Sequence, residues 1–203
     1  MGIRAIATAV LLLGLGACAS TPKDPPVLAN IVISPLEEGR TYGGRAHYTV
    51  DAPPAVVRGV ILDFDHQADF RPMVREARLV SETEDGGEVY FRFRGQVGIS
   101  PEANCVYVVE EEDDAWKLTY QMTSPSLARW ALNGSFTLVP QRGGTKTFVR
   151  QEFLVSAIIM NHEQLLRELR VDAASIRDRA EALAGKETQP ENGWNTEGSA
   201  TRD

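Results

Sequence analysis

Cysteine and histidine are scarce in this chain, with two and three among 203 residues. That is too few for a zinc finger, an iron–sulfur site or a disulfide scaffold. Excess positive charge is missing as well. Lys plus Arg number 21 against 28 Asp plus Glu, a formal net charge of -7, and an acidic chain is a poor partner for nucleic acid. Ser, His and Asp all occur, but no Gly-x-Ser-x-Gly elbow does, so acyl-hydrolase chemistry has no support. The acidic run Glu110–Asp114 lacks the interleaved Gly and Asn/Asp pattern of a calcium loop and reads as a solvated hairpin tip. His47, His66 and His162 fall in different segments, and none has a neighbour at metal-ligand spacing. Neither a metal nor a cofactor is expected.

A long hydrophobic run is also lacking. The uncharged stretch Ala5–Ala17 is 13 residues. As a helix it is about 20 Å long, short of a hydrocarbon core of about 30 Å. With Arg4 before it, the stretch reads as the h-region of a signal peptide over residues 1–17. It closes on Leu15-Gly16-Ala17-Cys18, which resembles the bacterial lipobox. That resemblance implies cleavage before Cys18, lipidation of Cys18 and anchoring by more than one acyl chain. Residues 18–30 hold three prolines and read as a lipidated tether. The expected address is the periplasmic side of a bacterial envelope. Ala19 after the cysteine, rather than Asp, points to the outer membrane by the enteric sorting rule.

What is present in quantity is alternation. Ala46, Tyr48 and Val50 share one face of a strand. Ile31–Ile33 reads as a further short strand, stopped by Pro35. Pro54 opens a helix with Val57, Val60, Ile61 and Phe64 at helical spacing, and a second short helical turn follows before Pro72. Six alternating runs then follow, separated by turn signals such as Asp85-Gly86-Gly87 and Gln141–Gly144. Cys105 lies among valines and reads as a buried structural thiol. Residues 161–185 change period. Leu165, Leu169, Ala173, Ile176, Ala180 and Leu183 form one apolar stripe, Asn161 and Gln164 make a capping pair, and Gly185 is a natural stop. Residues 186–203 are polar and read as a disordered tail.

The order of strand, two short helices, six strands and a long helix resembles the helix-grip fold of the START and Bet v 1-like superfamily. The passage Leu62-Asp63-Phe64 through Phe70-Arg71-Pro72-Met73-Val74 is similar to one in the polyketide cyclase/dehydrase and coenzyme Q-binding START branch. Gln67 and Ala68 depart from that pattern. The resemblance implies an α+β domain over residues 31–185. In it, a curved antiparallel sheet of about seven strands wraps the C-terminal helix around a hydrophobic cavity.

The candidate cavity wall is the aromatic set Phe91, Phe93, Tyr107, Trp116, Tyr120, Trp130 and Phe136, with Phe153 beside them. Each of these residues also suits a plain core, so the set carries more weight than any member. Arg92, Arg94 and Arg150 read as outer-face arginines or as a basic stripe able to meet an anion. No catalytic residue stands out. The expected function is non-enzymatic binding of a hydrophobic small molecule, a lipid or quinone, at the membrane. Two alternatives remain: a cyclase/aromatase-type enzyme, and a protein-interaction domain with a filled core.

Overall fold

The computed structural model describes residues 31–38, 41–94, 100–112, 115–124, 131–156 and 162–187. Residues 1–30, Trp130, Asn161 and residues 188–203 lie outside them, and with them Cys18, the signal and tether segments and most of the tail.

Period-two alternation becomes strand throughout. The strands are β1 (Val32–Glu38), β2 (Thr41–Val50), β3 (Val74–Thr83), β4 (Gly86–Phe93), β5 (Glu102–Glu112), β6 (Ala115–Met122), β7 (Ala131–Gln141) and β8 (Lys146–Ser156). All neighbours pair antiparallel in one sheet, ordered β1-β2-β8-β7-β6-β5-β4-β3. β2 and β8, far apart in sequence, are therefore neighbours, and the sheet curves around the C-terminal helix.

Eight strands, not seven, make the sheet. The added strand is β1, which runs through Pro35 rather than stopping there. It is an edge strand, where a missing N–H can face solvent at no cost to the ladder.

Helix α1 (Pro54–Leu62) begins with its proline in the first turn and buries Val57, Val60 and Ile61. A 3-10 turn, Phe64–His66, leads into the one-turn helix α2 (Gln67–Phe70). Helix α3 (His162–Glu187) runs through Gly185 instead of ending before it. Its stripe is core: Leu165, Leu169, Ala173, Ile176 and Ala180 are all buried, and Leu183 packs against them. Each large aliphatic side chain there contributes roughly 1.5–3 kcal/mol. Gly44 of β2 sets how closely α3 approaches, since a Cβ there would meet Leu169 and Leu166 at 2.8 and 2.9 Å.

Directly opposed residues of antiparallel strands share a face. One inner row runs Tyr48, Val149, Leu138, Trp116. The next runs Ala46, Gln151, Phe136, Leu118, and the next Gly44, Phe153, Gly134, Tyr120, Tyr107. Cys105 is fully buried on the inner face, and burial pushes its thiol up to about 12.

Of the two readings of Arg92, Arg94 and Arg150, the basic stripe does not form between Arg92 and Arg150. Arg92 is on β4 and Arg150 on β8, with three strands between them. Arg92 is held by Glu76 and Glu102, and Arg150 lies beside Glu152.

Candidate functional site

The inner face is not covered evenly. Toward α1, the rings of Trp116 and Phe136 are buried together with Leu118, Leu138 and Val149. Phe64, after α1, closes over Phe91 and Tyr107, with ring centres 6.2 and 5.1 Å away. Toward the other end of the strands, Phe93, Tyr120, Met122, Leu132 and Phe153 pack on the same core but are only partly buried. These five make an apolar floor that is still accessible. Phe93 stacks on Phe91 at 5.6 Å, and Tyr120 tilts against Phe136 at 6.4 Å. Of the sequence candidates, Phe91, Tyr107, Trp116 and Phe136 are thus buried packing, while Phe93, Tyr120 and Phe153 belong to the floor.

Gly134 explains how Tyr120 lies. It sits directly opposite Tyr120 on β7, and a Cβ there would collide with the phenol. The missing side chain lets the ring lie across the sheet. Burial raises the Tyr120 hydroxyl well above its ordinary range, with Arg71 and Asp172 the next influences. The phenol therefore stays protonated and keeps a hydrogen to donate.

Beside the floor is a polar network that the sequence analysis did not identify. Arg71 follows α2. Its Nε and Nη2 donate to Oδ1 and Oδ2 of Asp172 on α3, at 2.6 and 2.8 Å. Its Nη1 donates to Gln67 Oε1 at 2.6 Å, and Gln67 in turn donates to the Ile61 carbonyl. From β8, Gln151 donates to Asp172 Oδ2 at 2.6 Å, and Tyr48 of β2 donates to Gln151 Oε1 at 3.2 Å. Gln67, Gln151 and Asp172 are buried.

Burial disfavours the Arg71 charge. The Asp172 carboxylate, by attraction and by hydrogen bonds, more than offsets that and leaves the guanidinium more basic than usual. Burial raises the Tyr48 hydroxyl, and Asp172 raises it further. A charge pair this dry persists only where hydrogen bonds complete it, as the two glutamines do here.

One turn before Asp172 on the same flank of α3, Glu168 is half-buried and accepts a hydrogen bond from Gln164 at 3.0 Å. The amide of Gln164 thus reaches along the helix, while Asn161, the other member of the expected capping pair, lies outside the described residues. Burial holds the Glu168 carboxyl above the ordinary carboxylate range, against the opposing pull of Gln164 and Arg167.

The histidines sit apart. His66 is paired with Asp63 at 2.6 Å, His162 faces the Gly43 carbonyl, and His47 leans on Phe148. Among the described residues, no cluster of His, Cys, Asp and Glu is arranged to hold a metal ion. Nor is any described helix long and apolar enough to cross a membrane. An open groove of about 360 Å³ lies between α1 and the far end of α3 and is lined by Ala55, Val56, Gly59, Val60, Asp63 and Leu183. Leu183 is about 16 Å along the helix from Asp172.

Comparison with known proteins adds a family and a fold. The model of the family described as polyketide cyclase / dehydrase and lipid transport matches residues 45–178. By sequence, no curated protein matches. Among solved structures, a STAR-related lipid transfer protein from Xanthomonas axonopodis shares the fold at TM-score 0.62 and 15 % identity, over 78 % of this chain and 96 % of that one. The lipid transfer and protein localization domain of human StarD13 does so at TM-score 0.63 and 12 % identity, over 75 % and 85 %. The Zhui aromatase/cyclase from Streptomyces sp. R1128 does so at 0.54 and 12 %, over 75 % and 99 %. At these identities the likeness is one of fold.

Proposed function

The chain belongs to the polyketide cyclase/dehydrase and lipid transport family, and we propose that within it this protein binds a hydrophobic small molecule, without turning it over, between the sheet and α3. One observation carries the reading. Phe93, Tyr120, Met122, Leu132 and Phe153 face the inside of the sheet yet remain accessible, beside a buried polar network. Ligand sites of this kind are mostly apolar, with a few fixed polar groups that set orientation. Burying the ligand's apolar surface supplies the affinity, at roughly 25 cal/mol per Å² before the costs of association. The likeness to lipid transfer folds supports the same reading.

The lipobox-like Leu15–Cys18 sequence supports a membrane address. On this proposal Cys18 carries the lipid anchor, and the domain works at the surface from which a hydrophobic ligand would come.

A second reading, catalysis of the cyclase type, is favoured by the likeness to an aromatase/cyclase. The test separates the two. The full-length protein is incubated with a bacterial lipid extract and repurified, and the bound material is identified by mass spectrometry. Recovery of an unchanged hydrophobic molecule supports binding. Recovery of a chemically altered one supports catalysis, and an empty protein refutes both.

A further inference from the structure

The open groove where α1 packs against the end of α3 is apolar and carries a single carboxylate. Ala55, Val56, Gly59 and Val60 line it from α1, Leu183 faces them from α3, and Asp63 caps the end of α1. Ala55 and Gly59 are exposed, and Val56 and Leu183 are only half-buried, so apolar surface beside a helix contact is left to water.

Gly59 is the anomaly. Glycine weakens a helix interior relative to alanine. Close packing accounts for Gly44 and Gly134, but a Cβ added to Gly59 would meet nothing within 4 Å among the described residues. A flat group laid on the bare helix backbone would account for it.

The chain itself carries such a group. Helix α3 ends at Glu187, one turn beyond Leu183, so residue 188 starts beside the groove. Residues 188–203 are polar or small apart from Pro190 and one large apolar side chain, Trp194. The stretch from Glu187 to Trp194 reaches up to roughly 24 Å when extended, against about 6 Å from Glu187 back to Leu183. Pro190 and Asn192-Gly193 are turn signals that send a chain back on itself. An indole has an apolar ring to lay on Val56, Val60 and Leu183, and an N–H that needs an acceptor once covered. Asp63 supplies one: its Oδ1 is paired with His66, and a carboxylate has room for further donors.

We propose that Trp194 docks in this groove of its own chain, with its ring over Gly59 and its N–H on Asp63. The C-terminal segment then clasps α1 to α3. The clasp does not depend on the hydrophobic-ligand reading.

The test is fluorine NMR of the full-length protein labelled with 5-fluorotryptophan, the Trp194 signal being assigned by its loss in Trp194→Phe. That signal should lie away from its position in urea and resist broadening by a soluble paramagnetic agent. Gly59→Lys fills the notch, and should send the Trp194 signal to its urea position while those of Trp116 and Trp130 stay. A readout without any variant comes from the unlabelled wild type, where the indole should show nuclear Overhauser contacts to methyls of Val56, Val60 or Leu183. A wild-type Trp194 signal at its urea position, or the absence of those contacts, overturns the proposal. So does a protected signal that Gly59→Lys, shown folded by the other two tryptophans, leaves unmoved. Protection that fades on dilution places Trp194 in the groove of a second copy and likewise overturns a clasp within one chain.

Discussion

Arg71 grips both carboxylate oxygens of Asp172 across 101 residues of chain, and Gln151 shares one of those oxygens. The contact joins the α2–β3 junction to α3 and β8. Removing one partner leaves the other charged and dry. Asp172→Ala should therefore cost about 3–5 kcal/mol in denaturant unfolding, whereas an apolar pair, Arg71→Met with Asp172→Leu, should recover most of it. A loss under about 1 kcal/mol in the single variant is what an exposed pair gives, and it would show that water reaches the site.

Floor and core should separate on truncation. Trp116→Ala and Phe136→Ala remove buried rings and should each cost roughly 3–5 kcal/mol. Phe93→Ala and Tyr120→Ala remove partly exposed ones. They should cost clearly less in thermal unfolding while weakening Nile red binding. If all four lose stability alike and keep their affinity, the floor is ordinary core.

The pH dependence of stability has a definite sign. Burial raises the Glu168 carboxyl above its ordinary value of 4.5. Its contribution is therefore fully present below about 4.5 and is lost as pH rises through the raised folded value. Glu181 shifts the same way, again chiefly by burial, so the comparison must be between variants. Glu168→Gln should be more stable than wild type near neutral pH, and the gap should close on acidification. A gap that is constant with pH would mean the carboxyl is not desolvated.

Cys18 lies outside the described residues, and its role is open to direct test. Cys18→Ser should leave an unprocessed precursor and abolish labelling by a fatty-acid analogue. Normal processing with membrane retention would reject the anchor.

The strands were legible because one face of a curved sheet must be apolar, so that Ala46, Tyr48 and Val50, or Trp116, Leu118 and Tyr120, announce themselves by alternation. The α3 stripe was legible for the same reason at period 3.6. The network was not, because its members are polar residues on apolar faces, and a reading that follows hydrophobic positions passes over them. Asp172 stands three residues after Leu169 and four before Ile176, inside the stripe. Gln151 alternates in phase with Val149 and Phe153. Each is an exception to its own pattern, and such exceptions are the signal for a buried polar site. Arg71 carried no such mark. Only the fold brings it to Asp172. Floor could not be told from core by sequence either, since Phe91 and Phe93 are two residues apart on one face and differ only in what α1 and the Phe64 turn cover.

The most direct measurement of where the ligand sits is photo-crosslinking of the full-length protein with a diazirine-bearing long-chain alcohol, mapped by peptide mass spectrometry. The expected adducts fall on the floor, at Phe93, Tyr120, Met122, Leu132 or Phe153, and are suppressed by excess oleyl alcohol. Adducts confined to the groove at Ala55, Val56, Gly59 and Leu183, or spread over the surface and indifferent to the competitor, would contradict the account.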